Sequence, residues 1–201
     1  MTGVLIVLAV LAFLAFVAVM WGVGIYNQLV TLKNRFQNSF SQIEVQLKRR
    51  YDLIPNLVET AKAYMQHERG TLEAVTNARN DAVKRLEQAS ANPGDPAAMK
   101  ALQAAESTLQ GSLVNLRAVA EAYPDLKANQ NMAQLSEEIT STENKVAFAR
   151  QSYNDSVMAY NTYKQTFPPV VFAGLFGHSQ NAELLDFDDA QIAEAPKVSF
   201  T

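Results

Sequence analysis

Lys48-Arg49-Arg50-Tyr51-Asp52-Leu53-Ile54-Pro55-Asn56-Leu57-Val58 decides how this chain folds, because it either reverses the backbone or lets one helix run through. Three consecutive cations suit a helix C-terminus, where positive charge offsets the negative end of the dipole. Asp52 would then cap a new helix carrying Pro55 in its first turn, where the missing N–H costs nothing. Against a reversal, the stretch holds no glycine and its apolar spacing passes through without a skip. A kinked, continuous helix is the alternative. Length arbitrates: with a break, four segments of about 25, 38, 27 and 38 residues would be ~37, 57, 40 and 57 Å long and could close a bundle. Without it, a first helix of ~95 Å would overhang any partner in the chain. The expectation is a break near Asp52.

Outward from that stretch the pattern is helical. Leu29, Leu32, Phe36, Phe40, Ile43, Leu47 and Tyr51 recur at three- and four-residue steps. A second stripe runs from Ile54 through Val58, Ala61, Met65, Leu72, Val75, Ala82 and Leu86, with Glu68 and Arg79 falling on it. A third, Met99 to Tyr123, is interrupted by Glu106, and a fourth runs from Met132 to Tyr160. Such narrow stripes belong to helices packed side by side. Asn92-Pro93-Gly94-Asp95-Pro96 reads as a loop with a capping Asp, and Tyr123-Pro124 as a second break. The expected fold is all-α: an N-terminal transmembrane helix, then an antiparallel up-and-down four-helix bundle over residues 26–166. The alternative is a three-helix bundle with a long kinked first helix.

Residues 1–32 carry no Lys, Arg, Asp or Glu, and Gly3–Ile25 is an almost unbroken apolar run. About 20 apolar residues in a helix span the ~30 Å hydrocarbon core. The start Met1-Thr2 lacks the basic region of a leader peptide, and no convincing A-x-A site follows the run. Residues 1–25 therefore read as a retained single-pass anchor, with Trp21 and Tyr26 at the headgroup level. Lys33 and Arg35 follow the span and no basic side chain precedes it, which places the N-terminus outside and the bundle in the cytoplasm. A periplasmic bundle is the alternative.

After the fourth stripe, residues 167–177 are apolar but too short and too rich in proline and glycine to span a bilayer. In an up-and-down bundle this segment returns to the membrane, where Phe172, Leu175 and Phe176 could dip into the interface or cover the open end of the core. Residues 178–201 concentrate acid and read as a flexible, solvated tail.

No chemistry suggests itself. The chain has no Cys, and His67 and His178 stand in no metal-ligand spacing. Phosphate-binding glycine loops and nucleophile elbows are missing. The net charge of −3, with no basic stripe, gives no footing for nucleic acid. The expectation is no enzyme, no cofactor, no metal and no nucleic-acid partner. Lys48 to Asp52 form a dense charged corner that either satisfies a helix end or docks an acidic partner. Ala15, Ala18 and Gly22 give the anchor one small-residue side, along which spans can approach closely.

Three stretches resemble the LemA family of bacterial membrane proteins. They are Tyr26-Asn27-Gln28-Leu29-Val30; Gln42 to Val58 with His67-Glu68 and Ala78-Arg79; and Ala149 to Asp155 with Tyr160-Asn161-Thr162, Phe167-Pro168 and Phe176-Gly177. Where many members carry Ala-Trp-Ser, this chain has Ser39-Phe40-Ser41. The resemblance implies one N-terminal span in the bacterial inner membrane, an antiparallel helical bundle and no established catalysis. It also implies a role in envelope maintenance beside membrane-embedded zinc proteases of the HtpX type. The expected function is a non-catalytic, membrane-anchored scaffold or adaptor that binds an envelope membrane protein and self-associates into a homo-oligomer. A lipid-interacting, membrane-shaping oligomer is the alternative. The residues expected at the partner surface are Lys48, Arg49, Arg50, Tyr51, Asp52 and Asn56, then Tyr153, Asn154, Tyr160 and Asn161. Those expected at lipid are Trp21, Tyr26, Phe172, Leu175 and Phe176.

Overall fold

A computed structural model describes residues 1–186. The helices are α1 (Thr2–Lys62), α2 (Arg69–Ala91), α3 (Pro96–Ala120), α4 (Pro124–Lys127), α5 (Gln130–Gln165) and α6 (Pro169–Ala173). No strand occurs among the described residues, so the all-α expectation is met.

The reversal expected near Asp52 is not there. Helix α1 is 61 residues long, contains Pro55, and ends only at Lys62. A proline inside a helix leaves the carbonyl four residues earlier without its donor. That carbonyl belongs to Tyr51, and the Nε of Arg79 on α2 donates to it at 3.0 Å. The orphan acceptor is thus satisfied from a neighbouring helix, and the core-facing stripe Leu47, Arg50, Tyr51, Ile54, Leu57 and Ala61 stays buried without a change of phase. The turn instead lies in residues 63–68, where Tyr64 N–H and Met65 N–H both bond back to Ala61 O. Met65, fully buried, plugs the end of the core.

Contacts fix the directions. Phe36 meets Tyr153 and Tyr160, with ring centroids 6.4 and 5.2 Å away. Arg50 and Tyr51 meet Glu106. Tyr64 accepts from Asn129, and Tyr123 donates to Glu68. Read along α1, neighbours on α3 rise in number while those on α2 and α5 fall, so α1, α2, α3 and α5 alternate in direction. Helix α1 packs mainly on α5 and then α2, and α2 packs on α3. Fully buried Leu29, Ile43, Leu47, Leu102 and Leu109 stand in the common core, each contributing roughly 1.5–3 kcal/mol.

The loop before α3 forms as its residues require. Asp95 caps the helix by accepting from Ala98 N–H at 2.8 Å, with Pro96 in the first turn. Asn129 caps α5 in the same way, accepting from Met132 N–H at 3.1 Å. Gly94 sits at φ +90°, and a Cβ there would lie 3.0 Å from Ala182 Cβ and 3.1 Å from the Phe36 ring. Gly94→Ala should therefore lower stability by about 1–3 kcal/mol, from strain plus overpacking. Gly111→Ala, inside α3 with open space around it, should instead gain up to about 1 kcal/mol. Thermal unfolding of the two variants reads the contrast.

Residues 1–24 are exposed apart from half-buried Gly22. This part of the helix is long and apolar enough to cross a membrane. The same helix enters the core at Ile25 with no break.

The tail expectation is corrected over residues 178–186. His178, Ala182 and Leu185 are buried, and this stretch lies as an extended strap along α5. Side chains on α5 bond the backbone of Gln180, Ala182, Glu183 and Leu185, which outweighs the solvation that its acidic residues favour. Residues 187–201 lie outside the described part.

Candidate functional site

Two polar constructions stand out against the apolar core. The first is built by α1, α2 and α3. The Arg50 guanidinium pairs with the Glu106 carboxylate, and the Tyr51 hydroxyl donates to the same carboxylate. Arg50, Tyr51 and Glu106 are 5, 2 and 4 % exposed, so water screens none of them. Burial pushes the Arg50 guanidinium below its ordinary value, while Tyr51 and Glu143 hold it up. Burial likewise pushes the Tyr51 phenol well above its ordinary value of 10, so it stays a donor. Beside this layer Arg79 joins Tyr51 O to the Asp52 carboxylate, 4.0 Å from its guanidinium.

Arg79 therefore has a definite task. Arg79→Leu should leave Tyr51 O without a donor and lower stability by about 1–3 kcal/mol. Adding Pro55→Ala restores the intrahelical N–H and should recover most of the loss. Urea unfolding of the two single variants and the double gives the coupling.

The second construction is the clamp on the strap. Asn154 donates to Leu185 O and accepts from Leu185 N–H, both at 2.9 Å. Asn161, two helical turns on, does the same to Ala182 at 2.9 and 3.0 Å. Tyr153 donates to Glu183 O at 2.8 Å, Lys164 to Gln180 O, and Gln103 to Leu184 O at 3.3 Å. Glu183 N–H donates to Gly94 O at 2.9 Å. Side chains seven residues apart on one helix thus read the backbone of an extended segment as a neighbouring strand would.

At the root of the strap the Tyr160 hydroxyl and His178 Nδ1 are 2.8 Å apart. Burial first, then Lys33 and Lys164, hold the imidazole below its ordinary 6.5. A base with a depressed pKa folds as the neutral form, so this stability is present above about pH 6.5 and lost as pH falls through the lower folded value. The melting temperature should be flat above neutrality and fall on acidification, and His178→Phe should flatten that part of the profile. Melts across a pH series check it.

The residues expected at a partner surface divide sharply. Lys48, Arg49, Asp52 and Asn56 are exposed along the outer face of α1. Arg50 and Tyr51 are buried on Glu106, which corrects their reading as a docking patch. A cation pointing inward at the helical period finds its carboxylate in the core. Tyr153 and Tyr160 are buried, and Asn154 and Asn161 are half-buried on the strap, so these four are occupied by the chain itself. Among the lipid-facing set, Trp21, Tyr26 and Leu175 are exposed, whereas Phe172 and Phe176 are half-buried. Glu106 was signalled by its interruption of the third apolar stripe, and Arg79 by its place on the second. Gly94 and Gln103 carried no such sign. Among the described residues no group of His, Asp or Glu is placed to hold a metal ion.

A single apolar helix running into a helical core with a buried Arg–Glu–Tyr layer defines a helical protein with one segment fit to cross a bilayer. The LemA family model matches residues 39–200, and the chain belongs to the LemA family. It is 28 % identical over 145 residues to Protein LemA of Metamycoplasma hominis, covering 72 % of this chain and 62 % of that one. It is 25 % identical over 158 residues to Magnetosome protein MamQ of Magnetospirillum gryphiswaldense, covering 71 % and 58 %. Magnetosome protein MamQ 2 of Paramagnetospirillum magneticum is 27 % identical over 151 residues, covering 68 % and 56 %. The chain thus spans about three-fifths of the length of the curated relatives it matches.

Proposed function

We propose that this chain is a non-catalytic, membrane-anchored adaptor: a four-helix bundle, sharing α1 with its anchor, that holds an envelope membrane protein at a fixed height above the bilayer. The observation that carries this reading is the continuity of α1. An anchor joined by a flexible linker would let the bundle wander, whereas one helix running from the apolar segment into the core transmits the orientation of the span to every packed helix. Such rigidity serves positioning. Membership in the LemA family supports membrane association without catalysis.

The surface for the partner is the outer face of α1, where Val45, Lys48, Arg49, Asp52 and Asn56 are all exposed and share one side at helical spacing. The partner class is a membrane-embedded zinc protease of the HtpX type, and the bundle works as a homo-oligomer on the cytoplasmic face of the bacterial inner membrane. A photo-cross-linking residue at Arg49 or Asn56, activated in intact membranes of the native host, tests this. A discrete adduct containing one membrane protein supports the adaptor, and a ladder of the chain's own multiples supports self-association. Absence of any adduct at both positions, with the protein intact, overturns the reading.

A further inference from the structure

Helix α6 and its flanks form the base of the bundle. Phe172 and Phe176 turn inward there: their rings stack at 6.1 Å, and Phe176 meets the Tyr26 ring edge-on at 5.5 Å. Phe176 also reaches to 4.0 Å of the position a Cβ on Gly22 would take. This segment is therefore level with the last turn of the apolar run. Its other side exposes Phe167 (80 %), Val170 (52 %), Val171 (58 %) and Leu175 (80 %). Four large apolar side chains within nine residues form a patch too dense to leave in water without cause.

Charge marks where this patch lies. No Lys, Arg, Asp or Glu occurs in residues 1–32, nor in residues 165–182. Lys33 ends the first stretch, and Lys164 and Glu183 flank the second. Lys33 lines one cavity with Tyr160 and His178, and Lys164 lies over the Tyr160 ring at 5.4 Å, so Lys33 and Lys164 stand near one height. Tyr26 to Lys33 is about 10 Å of helix, close to the ~5–10 Å depth over which interfacial elements enter the headgroup–acyl boundary. The uncharged base thus fills the interval between hydrocarbon and exposed Lys33, whose side chain can extend to headgroup phosphates.

We propose that Phe167, Val170, Val171 and Leu175 are a lipid-contacting foot, inserted into the leaflet that α1 leaves, so that the bundle stands on the bilayer at two points. This rests on the reading of residues 1–25 as a span. Phe172 and Phe176 are the hinge pins of the foot, tying it to Tyr26, and the exposed four are its sole. One helix fixes height, and a second contact stops the bundle from turning about that helix.

The chain contains no cysteine, so single-cysteine variants of the full-length protein can be labelled cleanly. A fluorophore at Val171→Cys or Leu175→Cys is compared with one at Leu14→Cys in the span and one at Phe148→Cys on the exposed side of α5. The protein is reconstituted in vesicles of phosphatidylcholine and phosphatidylglycerol. Doxyl-labelled phosphatidylcholine should quench residues 171 and 175 several-fold more than residue 148, and aqueous iodide should quench them several-fold less. Iodide quenching equal to that at Phe148 overturns the foot, and shielding from both quenchers assigns the patch to a second protein copy and overturns it too. If Leu14 is not quenched by the doxyl lipid, the span itself fails and the foot with it. Should a label disturb the base, Val171→Asp with Leu175→Asp gives an independent reading. A label at Val170→Cys, on the foot itself, should then lose lipid quenching while the melting temperature in detergent is unchanged, and unaltered quenching in that variant overturns the proposal.

Discussion

Replacing Glu106 with alanine should lower the unfolding free energy by about 3–5 kcal/mol, since removing one partner of a buried pair strands the other charge. Arg50 is 5 % exposed, so its charge would lose its partner inside the core, and Tyr51 loses its acceptor at the same time. For a chain of this size that loss corresponds to a fall in melting temperature on the order of 10 °C. Arg50→Ala should cost a similar amount for the mirror reason. The triple variant Arg50→Met, Tyr51→Phe and Glu106→Leu should sit near the wild type or above it, because apolar groups of similar volume avoid both desolvation penalties and leave no buried hydroxyl without an acceptor. Urea unfolding of the detergent-solubilised protein would show the coupling. If Glu106→Ala costs no more than Lys48→Ala, an exposed lysine whose pair with half-buried Glu44 should contribute less than about 1 kcal/mol, then the buried layer is not what holds the helices in register.

The same layer marks where sequence reading reached its limit. Apolar periodicity located every long helix, because burial at 3.6-residue spacing is written residue by residue from Leu29 to Tyr160. Asp95 and Asn129 sit at helix starts as side-chain acceptors should, though only Asp95 was recognisable beside its prolines. No break forms near Asp52 because the compensation for Pro55 comes from Arg79, 28 residues along the chain from the Tyr51 carbonyl it satisfies. No local rule can see a donor on another helix. The true turn at residues 63–68 was invisible for the opposite reason. None of its residues adopts a positive φ, so it needs neither glycine nor proline, and its position is set by Met65 closing the core. Arg79 and Glu106, polar residues on apolar stripes, were the visible trace of that three-dimensional bookkeeping. The unbroken apolar phase through Pro55 was the stronger signal than the lengths that favoured a break.

Asn154 and Asn161 should prove decisive for the strap. Four hydrogen bonds run between these two side chains and the backbone of Leu185 and Ala182, each stabilising by roughly 0.5–1.5 kcal/mol net. Asn154→Ala with Asn161→Ala should therefore weaken the local closure by about 2–6 kcal/mol. Fully buried Leu185 then has no polar frame to hold it against α5. Amide exchange at Ala182, Glu183 and Leu185 should accelerate by at least about 30-fold, while amides in α2 and α3 change far less, because local opening need not pass through global unfolding. Leu185→Ala approaches the same state from the apolar side and should cost about 2–5 kcal/mol through its cavity. If the strap were held only by the hydrophobic contact, the Leu185 variant would open it and the double asparagine variant would not. Equal exchange in wild type and double variant would mean that the side-chain amides follow the strap rather than fix it. The expected order places the asparagines first, because each supplies both a donor and an acceptor to the backbone of a buried strap residue, and an unsatisfied buried amide costs more than a lost methyl contact.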